Sequence, residues 1–247
     1  MRPKPSSWSR RQGKFIAHFL YGPAWIALLI VLSWTSAYAQ SKQVWPETST
    51  FIKVNDRMRF YFMMTTVKED KDSTEAEIGP NFDFFLPTLK HVKRWSLFPL
   101  DESRNQFLVL RVGYRYIFPF TEEGSTEHRG VLELTARHPL VRGVLVSDRN
   151  RMDIRSIEGA KSWRYRNRLT IEREFFIGHF RFSPYIRGEM YYDSRYDKVS
   201  RTALIGGSTF PITRHFELES YFEHQNDSGG SSNRTVNAVG MVASFYF

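Results

Sequence analysis

From about residue 44 to its last residue the chain repeats one pattern, segments of about 10–13 residues in which apolar and polar side chains alternate. A period of two sends successive side chains to opposite faces of a strand, so most segments have one apolar and one charged face. In "RMRFYFMMTTVKE", Met58, Phe60, Phe62 and Met64 share a face, and Arg57, Arg59, Tyr61 and Thr65 take the other. "FLVLRVGYRYIF" sets Leu108, Leu110, Val112, Tyr114 and Tyr116 against Arg111, Gly113 and Arg115. "WRYRNRLTIEREFF" sets Trp163, Tyr165, Leu169 and Ile171 against Arg164, Arg166, Arg168, Thr170, Glu172 and Glu174. Eleven such segments begin near residues 44, 57, 75, 107, 129, 144, 163, 180, 200, 215 and 235. The pattern predicts an all-β protein.

Two architectures accept such strands. A soluble sandwich would bury the apolar faces in a dry core, but its strands are commonly only about 5–6 residues long. A membrane barrel uses longer strands, with the apolar face toward lipid, and closes because hydrocarbon offers no partner to an open sheet edge. The connections favour the barrel. "ND" at 55–56, "PLVRG" at 139–143, "IGH" at 177–179 and "ITR" at 212–214 are short, and they alternate with the polar "EDKDST", "TEEGST", "IEGAKS", "DSRYDKVS" and "NDSGGSSN". Short periplasmic turns and longer outer loops are the barrel pattern. Residues 87–106 break it, being long on the short side. Bacterial barrels usually have even strand numbers. The reading is therefore a closed antiparallel transmembrane β-barrel of about 12 strands, the twelfth hidden around "RWSLFPL", with 10 as the next choice. In "SDRNRMDI", strict alternation turns Asp148 and Asn150 toward lipid, which a bulge would relieve.

The first 39 residues read as an export signal. A basic stretch with Arg2, Lys4, Arg10, Arg11 and Lys14 precedes the apolar "PAWIALLIVLSW", and "AYA" puts small residues where cleavage before Gln40 is expected. The alternative is a retained anchor helix, which Gly22-Pro23 argues against. The domain reading is a signal peptide over 1–39 and a barrel over 40–247, placed in the bacterial outer membrane. Removing those five basic residues takes the formal charge from +9 to +4, so the high pI does not point to nucleic acid. With no Cys, disulfides and thiolate metal sites are excluded, and no His or acidic spacing suits zinc, so neither metal nor cofactor is expected.

"VWPETSTFIKVNDRMRFYF", "LVSDRNRMDIR", "SWRYRNRLTIERE", "SPYIRGEMYYDSRYD" and "VNAVGMVASFYF" together resemble an uncharacterised bacterial family, domain of unknown function 2490, over about residues 43–247. The resemblance implies an outer-membrane barrel and carries no catalytic residue. In the last segment Met241, Ala243, Phe245 and Phe247 share the apolar face. That ending resembles the signal read by the barrel-assembly machinery, which with periplasmic chaperones and outer-membrane lipid makes up the expected partners; oligomeric state is left open.

Two constellations could carry function. The first is the charged face: Arg111, Arg115, Arg149, Arg151, Arg155, Arg164, Arg166, Arg168, Glu172, Glu174, Arg187, Glu189, Glu217 and Glu219. These charges either fill the lumen as a structural salt-bridge network or line a narrow pore whose basic wall faces an acidic one. The second is His224, Ser228 and Glu223 in "FEHQNDSGGSSN", a base, a nucleophile and an acid. Its position resembles the rim site of outer-membrane lipid A deacylases, although the Ser here follows the His by four residues rather than two. The alternative is an ordinary polar loop.

Overall fold

The computed structural model describes residues 41–69, 75–86, 100–120, 124–140, 143–178, 180–229 and 233–247. The export segment lies outside the described residues. Eleven long strands dominate: β1 (Ser41–Asn55), β2 (Met58–Glu69), β3 (Glu75–Leu86), β4 (Leu108–Pro119), β5 (Glu127–Pro139), β6 (Val144–Ile157), β7 (Ala160–Arg173), β9 (Phe180–Asp193), β10 (Lys198–Pro211), β11 (Phe216–Asp227) and β12 (Arg234–Tyr246). Each begins within three residues of the start that alternation predicts. The remaining strand, β8 (Phe175–Ile177), extends β7 past Glu174 and pairs only with β9.

Each strand pairs with its neighbour in sequence, β7 with β9, and β12 with β1, so the sheet closes. The barrel has eleven strands rather than twelve. Evenness follows only if the closing pair is antiparallel. Here β1 and β12 run in the same direction, in register from Ser41 opposite Val236 to Phe51 opposite Tyr246. A parallel ladder is slightly weaker per residue, but it pairs every edge group, which is what closure demands. The backbone of Phe247 prolongs the seam: its N–H donates to Phe51 O at 2.8 Å, and its own carbonyl accepts from Lys53 N at 2.8 Å. The twelfth strand expected around residues 94–100 falls, apart from Leu100, outside the described residues; beyond it the chain forms a 3-10 turn, Glu102–Asn105.

Burial is inverted relative to a water-soluble protein. Arg115, Asp83 and Asp153 are 2%, 0% and 0% exposed, whereas Leu169, Ile171 and Val112 are 47%, 45% and 44% exposed. Charges therefore fill the inside and the apolar face is outside, as a transmembrane barrel requires. Aromatic pairs flank that apolar band. Trp163 stacks on Tyr192 near the loop end, while Phe175, Phe182, Phe180 and Phe210 form a chain of ring contacts at the turn end. The "IEGAKS" loop shrinks to a two-residue turn, Glu158-Gly159, with both residues at positive φ as a tight hairpin needs. No register shift interrupts the β6–β7 ladder, so the bulge expected near Asp148 and Asn150 is absent and both side chains remain on the outer face.

Two outcomes follow. Replacing Ile171 by Arg should cost about 2–4 kcal/mol of folding free energy in lipid if the residue lies near the midplane, measured by reversible unfolding in vesicles, whereas Ile171→Leu should be neutral. Paired cysteines at Thr48 and Ala243, which are in register across the seam, should form a disulfide in the folded barrel, while Thr48 with Met241 should not; the readout is a mobility shift on denaturing gels.

Candidate functional site: a charged lumen with an internal plug

The inward face of each strand is set by parity, and the register then decides which charges meet. β6 and β7 place Arg149 opposite Arg168 and Arg151 opposite Arg166. Like charges directly opposed would destabilise the pair of strands. The flanking strands supply the counter-ions. On β9 a single oxygen of Glu189, Oε2, accepts from both Nε and Nη2 of Arg166, at 2.9 and 2.5 Å, while its Oε1 contacts Arg168. Glu133 on β5 lies 3.8 Å from Arg149 and 3.6 Å from Arg111. Asp153 bridges Arg151 at 2.6 Å and Arg164 at 3.0 Å. Arg155 joins Glu127 at 2.6 Å to Asp193 at 3.0 Å. Arg187 reaches across β10 to Glu219 on β11 at 2.9 Å. At the junction with β8, Glu174 meets Arg181 at 3.0 Å.

Near the turn end the lumen holds an inserted segment. Asp101 caps the 3-10 turn by accepting from the Ser103 N–H at 3.0 Å, and it receives the Arg59 guanidinium at 2.7 Å. Arg104 on the same turn reaches Glu217 of β11 at 3.4 Å and Glu172 of β7 at 3.9 Å. These partners stand on strands far apart around the barrel, so the segment spans the lumen as a plug. Its insertion accounts for the long connection between β3 and β4. Arg59 is also stacked over Phe51, 4.2 Å from the ring centre, beside Tyr61 and Tyr246. Beside the plug is a cavity of about 240 Å³, lined by residues that include Arg111, Glu133, Arg149, Arg168, Glu219 and Glu223.

The plug was not foreseen. Its signal is local: "DESR", two acids and a base, inside the one connection that is long on the short side. Arg59 and Asp153, already read on the charged faces of their strands, belong to the same buried network, and so do Asp83, Glu127, Arg129, Glu133 and Asp193, which were not singled out in the sequence. The basic-against-acidic lumen needs correction in detail. Most arginines pair with acids on the same or neighbouring strands, because those carboxylates are nearest.

The rim constellation does not assemble. Glu223 is buried on the inner face, and His224, one residue on, takes the outer face with its Nδ1 2.8 Å from Asn237 Oδ1. Ser228 Oγ donates to the backbone carbonyl of Val199 at 3.1 Å. Alternation within one strand cannot turn adjacent side chains to a common substrate. At the chain end Met241, Ala243, Phe245 and Phe247 lie on the outer face, with Met241 and Phe247 exposed. Among the described residues no group of three or more His or acidic side chains could hold a metal ion.

A closed sheet with an apolar exterior and a charged, ion-paired interior defines the class: a transmembrane β-barrel. The chain belongs to the family described as protein of unknown function (DUF2490), whose model matches residues 42–236. No curated relative matches the chain. Among solved structures it is similar to a "Bacterial polysaccharide outer membrane secretin", with TM-score 0.50 and 9% identity, over 79% of this chain and 67% of that one. At that identity the likeness concerns the fold alone.

Burial pushes the Asp101 carboxyl up, but Arg59, with Arg104 and Arg137, more than offsets it and holds the group below the usual carboxylate range. A depressed carboxylate stabilises the docked plug fully above its unfolded value, about 3.9 for Asp, and loses that contribution as pH falls through the folded value. The plug should thus stay docked from about pH 5 to 8. Ser103, 3% exposed, offers the readout: a cysteine there should label slowly with a thiosulfonate across that range, and quickly once Asp101 is replaced by Ala.

Proposed function

We propose that the protein is a narrow outer-membrane pore, closed at rest by the Asp101–Asn105 plug. The observation that carries this reading is Arg104, which bridges two strand walls from inside the lumen. A barrel that served only as envelope structure could fill its interior with strand side chains alone. This one also inserts a non-strand segment held by ion pairs, which can release without breaking the sheet. The charged walls around the cavity suit passage of small polar or charged solutes and exclude apolar ones. The outer-membrane placement draws on the apolar exterior and on the alternation of short turns with longer loops. That orientation sets the plug at the periplasmic mouth.

The test is conductance in planar bilayers. Wild-type protein should show rare, brief openings. Arg104→Ala leaves Glu217 and Glu172 without their plug cation; stranding a buried charge in this way costs about 3–5 kcal/mol and should shift the population strongly to the open state. If Arg104→Ala and deletion of 101–105 both leave the bilayer as tight as wild type, the protein is structural rather than a pore.

A further inference from the structure

The outer face of β6 and β7 is polar where lipid should be. Asp148, Asn150 and Asn167 point outward within the apolar band, with Tyr165 above them. Asn167 is four residues below Trp163 of the aromatic rim, about 13 Å along the strand at about 3.3 Å per residue, well inside a band about 25 Å tall. The side chains hydrogen-bond to one another. Asn150 Nδ2 donates to Asp148 Oδ2 at 3.0 Å, and Asn167 Nδ2 donates to Asp148 Oδ1 at 2.7 Å and to Asn150 Oδ1 at 3.1 Å. The Tyr165 hydroxyl donates to the same Asn150 oxygen. Elsewhere on this face the neighbours are apolar and exposed: Leu134 beside Asn150, Leu169 beside Asp148, and Ile171 and Ile154 beyond.

We propose that this face is the contact between two copies of the chain in the membrane. The inference rests on the barrel spanning a bilayer and is independent of the pore. Acyl chains offer no hydrogen-bond partner, so a carboxylate and two amides on the lipid face carry a solvation cost that only a polar partner removes. The internal bonds leave donors and acceptors unmatched on the same patch: the second N–H of Asn150, the Asn167 carbonyl, and remaining lone pairs of Asp148. A surface bearing both kinds of group complements itself, as a two-fold contact requires. Its edges also permit close approach. Asp148 is flanked by Ala136 on β5, and the same rung continues through Leu169 to Gly188 on β9, where a Cβ would meet nothing within 4 Å. Small residues beside a polar group are the usual means by which membrane segments pack tightly.

The chain has no cysteine, so single cysteines report directly. Ala136→Cys and Gly188→Cys, which leave the polar cluster intact, should give disulfide-linked dimers in native-composition vesicles under mild oxidation. Val239→Cys, on the exposed face of β12 on the other side of the barrel, should not. Combining either cysteine with Asp148→Leu, Asn150→Leu and Asn167→Leu should abolish the cross-link, while the heat-modifiable gel shift of a folded barrel persists. Cross-linking of equal yield at Val239, undiminished cross-linking in the leucine variant, or a product containing a different protein would each overturn the proposal. So would a strictly monomeric mass for the wild-type barrel in lipid nanodiscs.

Discussion

Everything in this molecule follows from the need to pair backbone N–H and C=O groups where no water can reach them. A sheet in hydrocarbon must close, and this sheet closes with an odd number of strands. The consequence is the parallel β1–β12 seam, the one ladder in the barrel that hairpins cannot form. Its two strands are nearly the whole chain apart, so the loop-closure entropy of the fold is concentrated there. The seam is reinforced by bonds from both backbone groups of Phe247 and by the stacked rings of Phe51, Tyr61 and Tyr246 on the inside.

Closure fixes which faces look inward, and the interior then has its own problem. Long charged side chains from most of the strands converge on a small volume. Buried charges are tolerated only when paired, and the register supplies the pairs, such as Glu189 between Arg166 and Arg168. The plug uses the same chemistry with one difference. Arg59–Asp101 and Arg104–Glu217 join a non-strand segment to the wall, so these pairs can part while the sheet stays whole. The network thus combines pairs within the sheet with pairs that tie a non-strand segment to it. On the outside the rule is reversed, and two hydrogen-bonded polar groups depart from it, Asp148 with Asn150 and Asn167, and His224 with Asn237.

The strands were legible in the sequence because two solvents act on alternate residues: lipid selects Leu169 and Ile171, and the lumen selects Arg168 and Thr170. Such a signal survives residue by residue, which is why the strand starts fall so near those read from alternation. Strand number was misread for a different reason. Nothing in the pattern of β1 or β12 states the direction of its far partner, and the even-number rule filled that gap wrongly. The plug escaped because a segment lodged in the lumen has no period to betray it. The choice of ion-pair partners escaped as well, since parity shows which face a charge takes and only the register shows what stands opposite. The same parity separates Glu223 from His224, which are adjacent and therefore opposed, so Glu223 cannot serve as the acid of the His224/Ser228 reading.

The central claim is the odd, parallel closure, and NMR of the isotope-labelled barrel in lipid nanodiscs tests it most directly. Inter-strand contacts between backbone protons should follow the parallel register, Ser49 with Ser244 and Thr48 with Ala243, with seam amides protected from exchange like those of the β6–β7 ladder. An antiparallel pattern at β12, or a further strand from residues 87–99 standing between β3 and β4, would contradict it.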